Sequence, residues 1–267
     1  MQPKVYEVND ARKKAVIVTP KTLFTGQQVL WLPACASTNL EAQALIGQNR
    51  ASEGCTVITD FQTAGRGQRG HQWEAAPAEN LLLSVVWQPT FLAAAQQFAL
   101  SQAVALGVHD WAQALLGADE KLKLKWPNDL YYGEQKLGGI LIENTLNGPK
   151  IQYSIVGVGL NVNQQRFAVP TATSLGRLTG RAYAREALAA RLLECLEQRY
   201  LQLRAGQLGQ LRQAYLRALY RYQQTHWFEV DGQRASGQIV GVEDDGRLAV
   251  ALGRELRRFG LQEIRHL

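Results

Sequence analysis

Four stretches of the chain hold residue types that serve packing poorly: 37–39, 62–73, 125–143 and 157–163. The first is Ser37-Thr38-Asn39, ahead of Leu40 and Glu41. The spacing Thr38-x-x-Glu41 has the form of a capping box, which fixes a helix start. Three successive polar side chains at a helix N-terminus also make a site for a polar ligand group.

The second stretch is Gln62-Thr63-Ala64-Gly65-Arg66-Gly67-Gln68-Arg69-Gly70-His71, closing on Trp73. Its glycines free the backbone to approach an anion, and the two arginines between them can pair with phosphate or carboxylate oxygens. A flexible surface loop explains the glycines but not Arg66 and Arg69 placed directly after a strand. The pattern is neither a Walker loop nor the dinucleotide Gly-x-Gly-x-x-Gly.

The third stretch is Lys125-Trp126-Pro127-Asn128-Asp129, followed by Lys136-Leu137-Gly138-Gly139-Ile140-Leu141-Ile142-Glu143. Pro127 stops a strand, which places Asn128 and Asp129 at its tip, where open α/β sheets hold ligands. Asp129 suits Mg²⁺, which takes a few carboxylates plus phosphate oxygens. Lys136 is a point charge for an oxyanion or phosphate, and the glycines after it let a ligand lie against the strand. A salt-bridged β-turn is the alternative for Asn128-Asp129. The fourth stretch, Gly157-Val158-Gly159-Leu160-Asn161-Val162-Asn163, suggests a flat ligand on the strand with the Asn161 amide reading its edge, or a β-bulge.

The elements that must position these residues are legible from periodicity. Residues 29–32 read as a strand, and a helix opens at Ser37 or Thr38. Residues 57–62 form a strand running into the loop 65–70, and 81–87 a buried strand. Phe98, Ala105, Val108, Trp111 and Leu115 mark a helix through 93–116, closed by Gly117. Residues 122–126 form a short strand, and 137–143 and 151–162 a strand pair joined by Asn147-Gly148-Pro149. Leu188, Leu192, Leu196 and Tyr200 define one amphipathic helix, and Leu211, Tyr215, Leu219 and Tyr222 another. After Thr225, short β-type runs alternate with turns such as Asp231-Gly232, which predicts a small β-barrel module. The expected organisation is an extension at 1–20, a main domain at 21–225 and a β-module at 226–267.

Bulk properties narrow the class. The 267 residues are 46% apolar, enough for a sizeable core, and no run of about 18 apolar residues reads as a membrane span. Residues 1–16 lack the apolar stretch of a signal peptide. Cys35, Cys55 and Cys195 are odd in number and irregularly spaced, which fits packing residues in a reducing cytoplasm. The net charge of +6 is spread along the chain, against a dedicated nucleic-acid surface.

Taken together, the four stretches resemble the catalytic domain of biotin–protein ligases: S-T-N, then Q-x-A-G-R-G-x-x-G, K-W-P-N-D, K-L-G-G-I-L-x-E and G-x-G-x-N-V, over roughly residues 20–267. The resemblance implies an α+β fold, a mixed β-sheet flanked by helices as in class II synthetases, followed by a small SH3-like β-barrel. It implies that biotin is activated by ATP and transferred to a lysine of a biotin carboxyl carrier protein or domain. Biotin, ATP and Mg²⁺ would be used without a tightly bound prosthetic group.

Carried over by the same resemblance, Ser37, Thr38, Asn39 and Gln62 would meet the ureido end of biotin, with Gly65, Arg66, Gly67, Gln68 and Gly139 shaping its pocket. Lys136 would contact the biotin carboxylate and the α-phosphate. Lys125 and Asp129 would serve the triphosphate and its magnesium. Arg69, His71, Asn128 and Asn161 would face the nucleotide, Asn161 reading adenine. Gln68 and His71 stand where many members carry arginine, which leaves fewer fixed cations against phosphate. Residues 170–175 offer no aromatic platform for adenine.

Bifunctional members begin with a winged helix-turn-helix of about 60 residues. Only about 36 residues precede Ser37 here, so DNA binding is not expected, and a homodimer is compatible with the sequence. The alternatives are a lipoate–protein ligase, which shares the adenylation logic, and a non-catalytic biotin sensor, which would have no use for Lys136, Arg66 and Asp129.

Overall fold

The computed structural model describes residues 18–267. The expected extension at 1–20 therefore falls mostly outside the described residues. From Val18 onward the chain packs on the body: Val18 is buried, and the N–H groups of Phe24 and Thr25 donate to the buried Glu197 at 3.1 and 2.7 Å.

The larger sheet has seven strands: β1 (Val29–Leu32), β2 (Thr56–Thr59), β3 (Leu81–Trp87), β4 (Leu122–Lys125), β5 (Asp129–Tyr132), β6 (Gln135–Asn147) and β7 (Lys150–Leu160). Their order is β1-β2-β3-β7-β6-β5-β4, with β1 and β2 parallel and the other neighbours antiparallel. All seven residues of β3 are buried. That follows from its central place, covered on both faces, and from its continuous apolar run.

Five helices flank the sheet: α1 (Thr38–Gly47), α2 (Gln97–Leu116), α3 (Leu175–Thr179), α4 (Arg185–Arg204) and α5 (Leu208–Ala218). Gly117 ends α2 at φ +83°, a backbone region that disfavours side chains. Trp87 stacks on Tyr200 of α4 with ring centroids 4.3 Å apart, joining helix layer to sheet. The mixed sheet with flanking helices is the fold class expected from the sequence.

The second sheet is antiparallel, in the order β11-β10-β9-β8-β12: β8 (Thr225–Val230), β9 (Gln233–Val242), β10 (Leu248–Leu252), β11 (Glu255–Phe259) and β12 (Ile264–His266). Phe228, Ile239, Val250 and Phe259 of this sheet belong to the same continuous core as Trp111, Leu130 and Leu196. The Trp126 indole donates to the Gly246 carbonyl at 2.9 Å, a polar link between the two sheets.

Several local expectations change. Asn128 lies in the turn at the strand's tip as expected, but Asp129 opens β5 and pairs with Gly139. The two alternating residues Leu130 and Tyr132 were too few to signal that strand. The short α3 likewise carries no visible period, its five residues being less than two helical turns. Strand β2 stops at Thr59 rather than 62, since Asp60 onward turns toward the glycine-rich loop. Among the described residues no helix is long and apolar enough to cross a membrane.

Candidate active site

A cavity of about 470 Å³ opens over β6 and β7. Its wall gathers residues from all four stretches singled out in the sequence: Ser37, Thr38 and Asn39; Gln62, Arg66, Gly67, Gln68, Arg69, His71 and Trp73; Lys125, Asn128, Asp129, Lys136 and Gly139; Gly157 and Gly159. Leu261, Gln262, Ile264, Arg265 and His266, at the far end of the chain, complete it. These last residues carry no local pattern, and only the packing of β12 and of the turn before it brings them to the wall.

The capping-box reading of Thr38 does not hold. Ser37 is the N-cap residue of α1, and no side chain caps the helix. Instead Thr38 and Asn39 join a buried network, beside the buried Ser37. Gln62 Oε1 accepts from the Thr38 backbone N–H at 2.9 Å, and Ser84 Oγ on β3 lies 2.7 Å from Thr38 Oγ1. Ser84 also donates to Asn39 Oδ1 at 2.6 Å, while Asn39 Nδ2 donates to Glu143 Oε2 at 2.6 Å. Buried polar groups need such partners, and these residues remain ordered around one end of the cavity. A methyl group on Gly157 would run into Asn39 Oδ1, so this glycine makes room for the network.

The flat group resting on Gly159 is the Trp73 indole. A Cβ there would lie 2.6 Å from Trp73 Cε2, and one on Gly139 would lie 3.1 Å from Trp73 Cζ3. Trp73 Nε1 is buried without a hydrogen-bond partner. Lys136 Nζ stands 5.4 Å from the centre of the Trp73 ring and 2.7 Å from Asp129 Oδ1. The sequence offered Trp73 only as the residue closing the loop. Its role as a wall follows from the two glycines opposite it.

The glycine-rich loop is fastened at two arginines. Arg66 Nη2 donates to Glu143 Oε2 at 2.7 Å. Arg69, in the left-handed region at φ +51°, donates through Nη1 to the Leu261 carbonyl and to Gln262 Oε1, each at 3.3 Å. Arg69 thus bridges the loop to the second sheet. Asn128 Nδ2 donates to the Ile140 carbonyl at 2.7 Å and braces β5 against β6.

Two residues from the sequence reading are not brought to the wall. Gly65 packs against the Trp73 carbonyl. Asn161 is 4% exposed and its Nδ2 donates to the Thr173 carbonyl at 2.9 Å. Reading a base would require that bond to open.

At the other end of the cavity, Lys125 Nζ lies 4.5 Å from the Tyr131 ring centre. Burial, joined by the Arg221 and Lys136 charges, pulls the Lys125 ammonium below its usual range, while Asp129 and Glu134 oppose the shift. Burial pushes the Tyr131 hydroxyl up to about 12. Burial and the Lys125 and Arg221 charges push His266 down to about 4, which matches its buried Nδ1 lacking a partner. The three cysteines are buried and unpaired, and burial pushes Cys55 up to about 11, so it is no thiolate nucleophile. Among the described residues no three His, Cys, Asp or Glu side chains cluster as a metal site. The cavity's chemistry is that of fixed cations facing a polar pocket, suited to holding an anion beside a neutral polar group.

A sequence model of the Biotin/lipoate A/B protein ligase family matches residues 31–161. The chain is 33% identical over 186 residues to the bifunctional ligase/repressor BirA of Bacillus spizizenii, covering 67% of this chain and 56% of that protein. It thus spans little more than half the length of that relative. It is 32% identical over 233 residues to the biotin–[acetyl-CoA-carboxylase] ligase of Mycobacterium tuberculosis, covering 86% of each. The fold matches the biotin protein ligase from Aquifex aeolicus in complex with biotin and ATP, with a TM-score of 0.74 at 23% identity, over 90% of this chain and 99% of that one. The relationship extends through most of the chain and through the cavity-lining stretches, and the chain belongs to the biotin–protein ligase family.

Proposed function

We propose that the protein activates biotin with ATP and transfers it to a lysine of a biotin carboxyl carrier protein. The observation that carries this reading is the single cavity where a polar network around Thr38, Asn39 and Gln62 meets two cations, Arg66 and Lys136. One end suits an uncharged, hydrogen-bonding ring, and the other suits a carboxylate and phosphate.

The biotin carboxylate attacks the α-phosphorus of ATP, expelling pyrophosphate and giving biotinyl-5′-AMP. The acceptor lysine amine then attacks the mixed anhydride and releases AMP. Neither step needs an enzyme nucleophile, so positioning and cations aimed at developing charge supply the acceleration. In this reading Ser37, Thr38, Asn39 and Gln62 hold the ureido end, and Gly139 and Gly159 seat the Trp73 indole that walls the ligand's pocket. Lys136 faces the carboxylate and α-phosphate, with Asp129 keeping its ammonium in place. Arg66, Gly67 and Gln68 cover the adenylate, and Lys125 and His71 lie toward the phosphates. Mg²⁺ would arrive with the triphosphate. Asp129 is the carboxylate nearest that role, but its Oδ1 is engaged by Lys136, so among the described residues the chain's own donors do not make a cation site.

Biotin-dependent exchange of labelled pyrophosphate into ATP tests the first step. Exchange with biotin and not with lipoate supports the reading. Exchange with lipoate alone, or biotin binding without exchange, contradicts it.

A further inference from the structure

Glu143 closes the K-L-G-G-I-L-x-E stretch and stands one step behind the cavity wall, with no role in the reaction as described so far. Its Oε2 accepts from Arg66 Nη2 at 2.7 Å and from Asn39 Nδ2 at 2.6 Å. Asn39 is itself fixed, since its Oδ1 accepts from buried Ser84 and its Nδ2 also reaches the Leu141 carbonyl at 3.3 Å. One carboxylate oxygen therefore joins the glycine-rich loop to the start of α1 and to the buried network.

At its entry the loop is tied by the Thr63 and Ala64 N–H groups, which donate to the Cys35 and Ala36 carbonyls at 2.9 Å each, but from Gly65 to Gly70 it has few other attachments. Gly67 N–H to the His71 carbonyl is internal to it, and Trp73 N–H donates to Gly65 within the same turn. Arg69 reaches the second sheet only at 3.3 Å. Among the described residues Arg66 makes no other side-chain hydrogen bond, so Nη2 is held while its remaining donors are left for an oxyanion.

We infer that Glu143 is a positioning residue: it fastens Arg66, and with it the loop, so that the free donors of the guanidinium face the biotin carboxylate and the adenylate. This rests on the reading of Arg66 given under the proposed function. The pair is more than a third exposed on both sides, at 38% and 39%, and contributes little to global stability. A planar guanidinium held at one nitrogen has a fixed orientation for the others, which is where the pair has its effect.

The test has two arms. In the ligand-free protein, trypsin cleavage after Arg66 reports how firmly the loop is held. Glu143→Ala should be cut about tenfold faster than wild type, and Glu143→Gln, which keeps the acceptor oxygen, within about threefold of it. With biotin and ATP, Glu143→Ala should raise the KM for biotin about tenfold while kcat falls less, and Glu143→Gln should restore most of the loss. In an Arg66→Ala background, Glu143→Ala should add less than about twofold, because it acts through Arg66.

Unchanged cleavage in Glu143→Ala, or losses that multiply in the double variant, overturn the inference. A uniform fall in kcat with unchanged KM, tracking a lowered melting temperature in both Glu143 variants, also overturns it, since that is merely structural damage. Wild-type protein that shows no biotin-dependent exchange overturns the functional reading and this inference with it. Exchange accompanied by additive losses overturns the role of Glu143 alone.

Discussion

Lys136 Nζ stands 2.7 Å from Asp129 Oδ1, across two neighbouring strands and over a glycine. Asp129 pairs in register with Gly139, and a bulge after Leu130 then sets Tyr131 opposite Lys136. The lysine therefore reaches diagonally along β6 to its carboxylate. A Cβ on Gly139 would lie 3.4 Å from Lys136 Cε and 3.5 Å from Asp129 Oδ1, so the glycine leaves the pair its path. The ammonium is thereby held at the cavity floor before any ligand enters, which is how preorganised charge lowers a barrier.

Lys136→Ala should lower biotin-dependent pyrophosphate exchange by about 10²- to 10³-fold, the scale of losing one preorganised charge at a reacting centre. Its side chain is 33% exposed and that of Asp129 20%, so the melting temperature should change little. Near-normal exchange would remove Lys136 from the reaction.

Arg66→Ala should shorten the lifetime of the bound adenylate by about tenfold, through loss of charge-assisted hydrogen bonds to it. Trapping released biotinyl-5′-AMP after a chase of unlabelled biotin measures this. An unchanged release rate would show that the loop holds the intermediate without Arg66.

Gly159→Ala places a methyl group 2.6 Å from Trp73 Cε2. The indole must shift off the strand, costing about 1–3 kcal/mol as overpacking does. Weaker biotin binding and a changed tryptophan emission in the ligand-free protein should follow. If both stay at wild-type values, Trp73 does not rest on Gly159.

His266 sets a pH dependence of stability. Its ordinary pKa is near 6.5 and burial, ahead of the Lys125 and Arg221 charges, pushes it down to about 4 in the fold. Between these values the unfolded chain binds more protons than the folded one. The contribution is therefore fully present above pH 6.5 and is lost as the pH falls toward 4. Thermal melts of His266→Phe should show a shallower decline over that window than wild type. An unaltered slope would place the acid sensitivity elsewhere.

Much of this site was legible in the sequence, because glycines, arginines and a lysine between strands have no packing reason to be there. Gly157, Gly159 and Gly139 announced close approach, and Trp73 and Asn39 are what approaches the first two in the structure. The sequence could not tell that the approaching group includes a residue of the chain itself. Capping at Thr38 misled for a local reason: Glu41 has the right spacing, but Gln62 and Ser84, distant in sequence, satisfy Thr38 instead. Asn161 had the right residue type beside two glycines, yet its amide turns to Thr173. The contribution of Ile264, Arg265 and His266 had no sequence signal, since it depends on where a short final strand packs. Strand periodicity placed β1 and β3 to the residue, and helix periodicity placed the end of α2 but began it at 93 instead of Gln97, whereas β5 and α3 were too short to show a period.

The central claim is tested most directly by incubating the protein with biotin, ATP, Mg²⁺ and a biotin carboxyl carrier domain and weighing the product. The expected result is one biotinyl increment on one lysine of the carrier, absent without ATP and lost with Lys136→Ala. A carrier of unchanged mass, in a preparation where the protein is folded and binds biotin, would contradict it.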